Sequence, residues 1–356
     1  MMTIDAGGRR VRITAALALA VVIADCARGP GTHMVVLLSR VWLIGMQGQI
    51  APFPYRVANG YMEGVQGWTP PLPSPDGRWI TFGNDAEDYD VHLLDVHQIR
   101  ERRITWLGRR PAIGYTFAAT RVAGWSANSR QIFLSVTPGE VDSDEGQYNV
   151  PKTAYGFYIY DLASGRVSPV ALPKAFDFAV WLPDGRFLGT VPGSTPCENK
   201  LVAFSPGSMR GTAVGPQFTN AVQVKASADY RWVVGVFGIK GCGDSEMDEI
   251  AKIDLRTGRA TALVPPASWA VNQRPELSPD GQHVSYIHQR RMLKGVPQES
   301  LFVDSRSIYA CPGSIDYQRV GSRRIALACV TSSYPLKGKV VTLDASTGKT
   351  LASRSL

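Results

Sequence analysis

Five cysteines are the most reactive side chains of this 356-residue chain: Cys26, Cys197, Cys242, Cys311 and Cys329. No two are spaced as CxxC, so neither a zinc ribbon nor a thiol-exchange motif is present. Cys26 follows an apolar run and stands apart. The other four are an even number, which permits two disulfides in an oxidising compartment. The histidines (His33, His92, His97, His283 and His288) are too few and too scattered to suggest a metal-centred hydrolase or lyase. No GxSxG, HExxH or P-loop occurs, so the sequence names no catalytic residue, no metal site and no cofactor.

Charge is concentrated in short stretches. "GEVDSDEGQY" carries Asp142, Asp144 and Glu145, and "GCGDSEMDE" carries Asp244, Glu246 and Asp248. "HQRRMLKGVPQES" is basic through Arg290 and Arg291. The first of these lacks the alternating acids and distal Glu of a calcium loop. Such segments read as solvated loops, or as a docking rim for a peptide, protein or glycan.

What positions them is a repeat. "SPDGRWITF" at 74–82 returns as "SPDGQHVSYI" at 278–287. Pro fixes φ, Asp bonds its own backbone and Gly takes φ > 0, so each is a turn leading into a strand. Between them stand "WSANSRQIFLSV", "WLPDGRFLGTV" and "ASADYRWVVGVF", and after them "YQRVGSRRIALACV". The turn residues Asp76, Asn128, Asp184, Asp229, Asp280 and Gly321 step by 52, 56, 45, 51 and 41 residues. A second element runs in phase: "FYIYDLASGRVSPV", "IAKIDLRTGRATALV" and "VVTLDASTGKTLASRSL" are each strand, polar turn, strand. Each unit is therefore four antiparallel strands. One such sheet cannot bury both faces alone, so the units stack about an axis as an all-β propeller.

The paired motifs resemble the WD40-like PD40 repeats of TolB-type propellers and of the propeller that caps prolyl oligopeptidases. The resemblance covers roughly residues 70–356 and implies a fold; the repeat serves many functions. TolB's separate α/β domain and the peptidases' hydrolase domain have no counterpart, so neither family's functional residues transfer.

Residues 34–54, "MVVLLSRVWLIGMQGQIAPFP", match a strand–turn–strand element and read as an incomplete first blade. With it the blades number seven; six blades with an N-terminal extension is the alternative. The domain reading is a signal peptide or lipoprotein signal over 1–26, a linker over 27–33 and one propeller over 34–356. Arg9, Arg10 and Arg12 precede a short apolar run, and "IADC" resembles a lipobox whose cysteine, Cys26, would be acylated. Asp25 departs from that pattern.

In a four-stranded blade the first and third turns share one face of the disc. The repeat aspartates are then turn-formers, and the charged loops share the opposite face. Cys197 and Cys242 each follow their turn aspartate by 13 residues, so equivalent loops of neighbouring blades could pair them. Cys311 and Cys329 would pair within or beside the last blade. The net charge of +8 favours acidic neighbours. The expectation is an exported, monomeric, non-catalytic propeller in the periplasm or at the envelope membrane, tethered through Cys26. It would bind a protein, peptide or envelope polymer, not nucleic acid. The alternative is a hydrolase or lyase with a site in the central channel.

Overall fold

The computed structural model describes residues 32–38, 40–53, 71–83, 91–105, 118–138, 156–173, 175–194, 198–216, 220–238, 248–265, 270–290, 298–333 and 336–356. They form seven antiparallel sheets and no helix. Seven blades it is, and residues 33–52 supply the first.

Blade 1 is β1 (His33–Leu37), β2 (Arg40–Ile44) and β3 (Ile50–Pro52). Blade 2 is β4 (Leu72–Pro73), β5 (Trp79–Gly83), β6 (Val91–Asp95) and β7 (Arg100–Arg103). Blade 3 is β8 (Ala118–Trp125), β9 (Gln131–Pro138), β10 (Gly156–Asp161) and β11 (Val167–Val170). Blade 4 is β12 (Asp177–Trp181), β13 (Phe187–Pro192), β14 (Asn199–Phe204) and β15 (Gly211–Ala213). Blade 5 is β16 (Asn220–Ala226), β17 (Trp232–Gly238), β18 (Asp248–Asp254) and β19 (Ala260–Val264). Blade 6 is β20 (Ala270–Leu277), β21 (Val284–Arg290), β22 (Glu299–Val303) and β23 (Arg306–Cys311). Blade 7 is β24 (Ser314–Val320), β25 (Arg324–Ser333), β26 (Leu336–Asp344) and β27 (Thr350–Ser355).

The second and third strands of each blade are apolar on both sides because they pack between two neighbours. Thus Ile325 and Leu327 face blade 6, while Ala326 and Ala328 face blade 1. Outer strands are not sandwiched in this way; β7 reads RERR and β15 is exposed throughout. Burying one large aliphatic or aromatic side chain contributes about 1.5–3 kcal/mol, so the interblade layers carry most of the stability. The layer between blades 3 and 4 is the most aromatic. Phe133 stacks on Phe187 at 4.5 Å and on Phe157 at 5.6 Å.

Blade 1 has three strands among the described residues, and hydrogen bonding places them. Phe53 N–H donates to Val41 O, as Ile104 N–H does to Val91 O in blade 2 and Val214 N–H to Leu201 O in blade 4. So β2 and β3 are third and fourth strands, and β1 holds the second position. The ring closes between blades 7 and 1 through side chains. Val36 N–H donates to Gln318 Oε1 at 3.0 Å and Leu38 N–H to Asp316 Oδ2 at 2.6 Å. On the outer side Arg324 reaches Gly45 O and Thr342 Oγ1 reaches Gly48 O, both in the turn between β2 and β3.

Candidate functional site

Three surfaces could carry function: the turn face, the loop face and the channel wall.

On the turn face the repeat turns share one wiring. Ser74 Oγ donates to Asp76 Oδ1 at 2.6 Å and accepts the Trp79 N–H at 2.9 Å, while Asp76 accepts the Arg78 N–H at 3.1 Å. The same serine and acceptor recur as Ser126 with Asn128, Ser227 with Asp229 and Ser278 with Asp280. Blade 4 has Leu182 in place of the serine, and Asp184 pairs with Arg186 at 2.7 Å. Between third and fourth strands Asp161, Asp254 and Asp344 accept turn N–H groups. The Ser346 and Thr347 hydroxyls, with both backbone N–H groups, hold the Asp344 carboxyl down to about 2. Hydrogen bonds from Ser164 lower Asp161, and those from Ser227 and Arg231 lower Asp229. Burial works against Asp254, yet the N–H groups of Thr257 and Arg256 outweigh it. These carboxylates build turns, as the repeat implied.

The loop face lies largely outside the described residues. Asp142, Asp144, Glu145, Asp244, Glu246 and Arg291 lie outside the described residues, as do Cys26, Cys197 and Cys242. Two residues read as loop belong to strands: Asp248 opens β18 opposite Gly238, and Arg290 ends β21 opposite Ala270. The segment "TSSYPLKGK", between the second and third strands of blade 7, is mostly strand. β25 continues to Ser333 and β26 resumes at Leu336, so a long hairpin takes the place of a loop. Near this face Cys311, ending β23, is bonded to Cys329 in β25, with their Cα atoms 5.7 Å apart. The disulfide ties blade 6 to blade 7.

The channel wall holds what the sequence reading missed. The innermost strands of blades 5 and 6 carry a bulge at the same place, and Gln223 and Arg274 sit in it at φ 55° and 56°. Such a φ in a non-glycine residue costs about 1–3 kcal/mol and persists only where the surroundings fix it. Here Gln223 Oε1 accepts the Arg274 N–H, and the Arg274 guanidinium pairs with Asp316 and donates to Ile315 O. One level away, Lys225 Nζ pairs with Glu276 at 2.5 Å, and Glu276 accepts the Arg319 N–H at 2.7 Å. Tyr317 Oη bonds the carbonyls of Arg274 and Ser285; burial raises it well above the usual phenol range. Burial likewise raises the Glu299 carboxyl, which accepts the Ile315 N–H. From blade 5 round to blade 1 these groups form a belt of paired polar side chains, in which Arg319 Nε donates to Ser285 Oγ at 2.8 Å while its Nη2 is buried without a hydrogen-bond partner. A signal for it existed. Gln223 and Arg274 share an offset from their turn aspartates, and so do Lys225 and Glu276, with opposite charges.

Of the histidines, His288 Nδ1 lies 2.8 Å from Asn272 Oδ1 and His283 Nδ1 lies 2.9 Å from Asp304 Oδ2. Among the described residues no three His, Cys, Asp or Glu side chains are grouped as metal ligands.

Seven radial sheets with serine–aspartate turns in phase decide the fold. The chain is a seven-bladed β-propeller. No protein-family model and no curated protein matches it. Among solved structures it is similar to a prolyl endopeptidase, 12% identical with a TM-score of 0.54 over 98% of this chain and 53% of that one. It is also similar to the acylaminoacyl peptidase of Pyrococcus horikoshii, 12% identical with a TM-score of 0.52 over 91% and 49%. TolB from Acinetobacter baumannii is 16% identical, with a TM-score of 0.49 over 86% and 70%. The propeller spans about half the length of the two peptidases. At these identities the likeness is one of fold.

Proposed function

We propose that the propeller is exported and binds a protein, peptide or envelope polymer on its loop face without transforming it. The observation that carries this reading is the polar belt of the channel. Its acids, Glu276, Glu299 and Asp316, are each taken up by a base or a backbone N–H, as a structural wall requires, and only Arg319 Nη2 is left without a partner in the belt. A central-channel hydrolase would need a base or nucleophile free to meet substrate. The uneven loops are left as the variable surface, acidic on one side through Asp142, Asp144, Glu145, Asp244, Glu246 and Asp248, and basic at Arg290 and Arg291. Residues 1–26 act as the export signal, with Cys26 acylated as a membrane tether, and Cys197 pairs with Cys242 between neighbouring loops. The mature domain acts as a monomer.

Two measurements test this. Mass spectrometry of the protein from its host should find a mature N-terminus at Cys26 bearing acyl chains; an intact Met1 on a cytoplasmic protein defeats export. A pull-down from envelope extract should retain a partner that is lost when Asp244, Glu246 and Asp248 are changed together to Asn or Gln. Retention unchanged by that variant rejects the loop face.

A further inference from the structure

Six large hydrophobic side chains are exposed among the described residues, and three of them share a setting. Met46 is 68% exposed in the turn between β2 and β3, Ile99 42% in the turn between β6 and β7, and Met209 59% in the turn between β14 and β15. All three turns join the third and fourth strands of their blades. They therefore stand on the turn face, toward its outer rim, on blades 1, 2 and 4. Ile99 is the most telling. It is β-branched and held at φ 50°, with an apolar side chain in water, so both its backbone and its exposure are unfavourable.

Two of these tips adjoin a cation. Arg100 follows Ile99 and Arg210 follows Met209, both exposed. Further in, the first turn of one blade after another presents an arginine at the same position: Arg78, Arg130, Arg186 and Arg231. Three of them meet an aspartate, Arg78 with Asp95 at 3.5 Å, Arg186 with Asp184 at 2.7 Å and Arg231 with Asp254 at 3.6 Å. Those pairs are open to water on the arginine side and contribute little, and Arg78 and Arg231 also lie over the rings of Trp79 and Trp232 at 4.7 and 4.9 Å, exposed contacts that a lipid phosphate can replace. The aspartates meanwhile accept turn N–H bonds of their own, so the arginines can turn outward without orphaning them.

We infer that the turn face rests on an anionic lipid bilayer, with Met46, Ile99 and Met209 dipping into the interface and the ring of arginines above the phosphates. Apolar tips set among basic residues are the chemistry of a peripheral membrane surface, where buried apolar area and attraction to anionic headgroups add. The tether agrees in direction. A second-position strand starts at the turn face, so the chain enters β1 at His33 on this side, a few residues beyond Cys26. Only the tether rests on the export reading; the face itself does not. With the turn face down, the loop face points away from the bilayer, free for the partner.

The test uses full-length chain carrying Cys26→Ser, spin-labelled in turn through Met46→Cys, Ile99→Cys, Met209→Cys and, on the opposite face, Leu336→Cys. Vesicles of phosphatidylglycerol with phosphatidylcholine are compared with phosphatidylcholine alone. The three turn-face labels should become accessible to oxygen and shielded from an aqueous nickel relaxant on the anionic vesicles, while the Leu336 label stays aqueous. This readout reports which face meets lipid whatever residues 1–25 do. Changing Arg78, Arg130 and Arg231 together to Glu should weaken partition about a hundredfold or more, at roughly one basic residue's share of attraction each. Turn-face labels that remain aqueous on bound protein, or a Leu336 label that becomes buried, overturn the inference. Equal binding to a soluble polyanion with aqueous labels also overturns it and assigns the arginines to a polymer.

Discussion

Asp316 bonds blades on both sides of it: one carboxylate oxygen takes the Arg274 guanidinium of blade 6 and the other takes the Leu38 N–H of blade 1. The ring therefore closes through a side chain where a shared strand is absent from the described residues. Both partners are partly shielded, and charge-assisted hydrogen bonds of this kind contribute more than neutral ones.

The first prediction follows from that bridge. Asp316→Ala leaves Arg274 without its carboxylate and the Leu38 N–H without an acceptor, and should cost about 2–4 kcal/mol. Asp316→Asn keeps an acceptor for Leu38 and should cost clearly less. Urea unfolding of both variants at neutral pH checks the order.

A second concerns the bond between Cys311 and Cys329, 18 residues apart. Replacing both by Ala should lower stability by about 3 kcal/mol, as expected for a closed loop of that length. Non-reducing peptide mapping should recover the two cysteines as one linked pair.

Packing supplies a third. Phe133 is fully buried against Phe157, Phe178, Trp181 and Phe187. Phe133→Ala should cost about 3–5 kcal/mol, and Phe133→Leu less, because the leucine refills part of the cavity. Thermal melts of the two variants measure the difference.

The fourth is a pH dependence. Asp344, held down to about 2, and Asp161, Asp184, Asp229 and Asp280, also lowered, have folded-state pKa values below their unfolded ones. Their contribution is present above the unfolded carboxylate pKa near 4 and is lost as pH falls toward 2. Glu299, raised by burial, acts in the opposite sense. Unfolding free energy should therefore fall between about pH 4 and 2. The slope should be shallower in Asp344→Asn.

The blades were legible because a propeller repeats its turn chemistry. Each turn needs Pro or a small residue, an Asx acceptor and a residue that tolerates positive φ, and those leave a readable trace. Blade 1 was readable from strand periodicity although its turn, Gly45 to Gln49, lacks the aspartate. The pairing of Cys311 with Cys329 was within reach because both fall in or beside the last blade. The channel belt was not read, because Arg274 and Asp316 are 42 residues apart and meet only when the ring is closed. Their types look like ordinary strand polar residues until the bulge at Gln223 and Arg274 is seen to recur. Asp248 and Arg290 were placed in loops because charge at a strand end has no periodicity to separate it from a loop.

The central claim is that the loop face, and not the channel, meets the partner. Its most direct test is a photo-crosslinking amino acid placed singly at Asp144, Glu246 and Arg291, with Gln223 as the channel control, in protein expressed in its host. The account predicts adducts to one discrete envelope partner from the loop positions and none from Gln223. Adducts from Gln223 alone, or to a small substrate held in the channel, would contradict it.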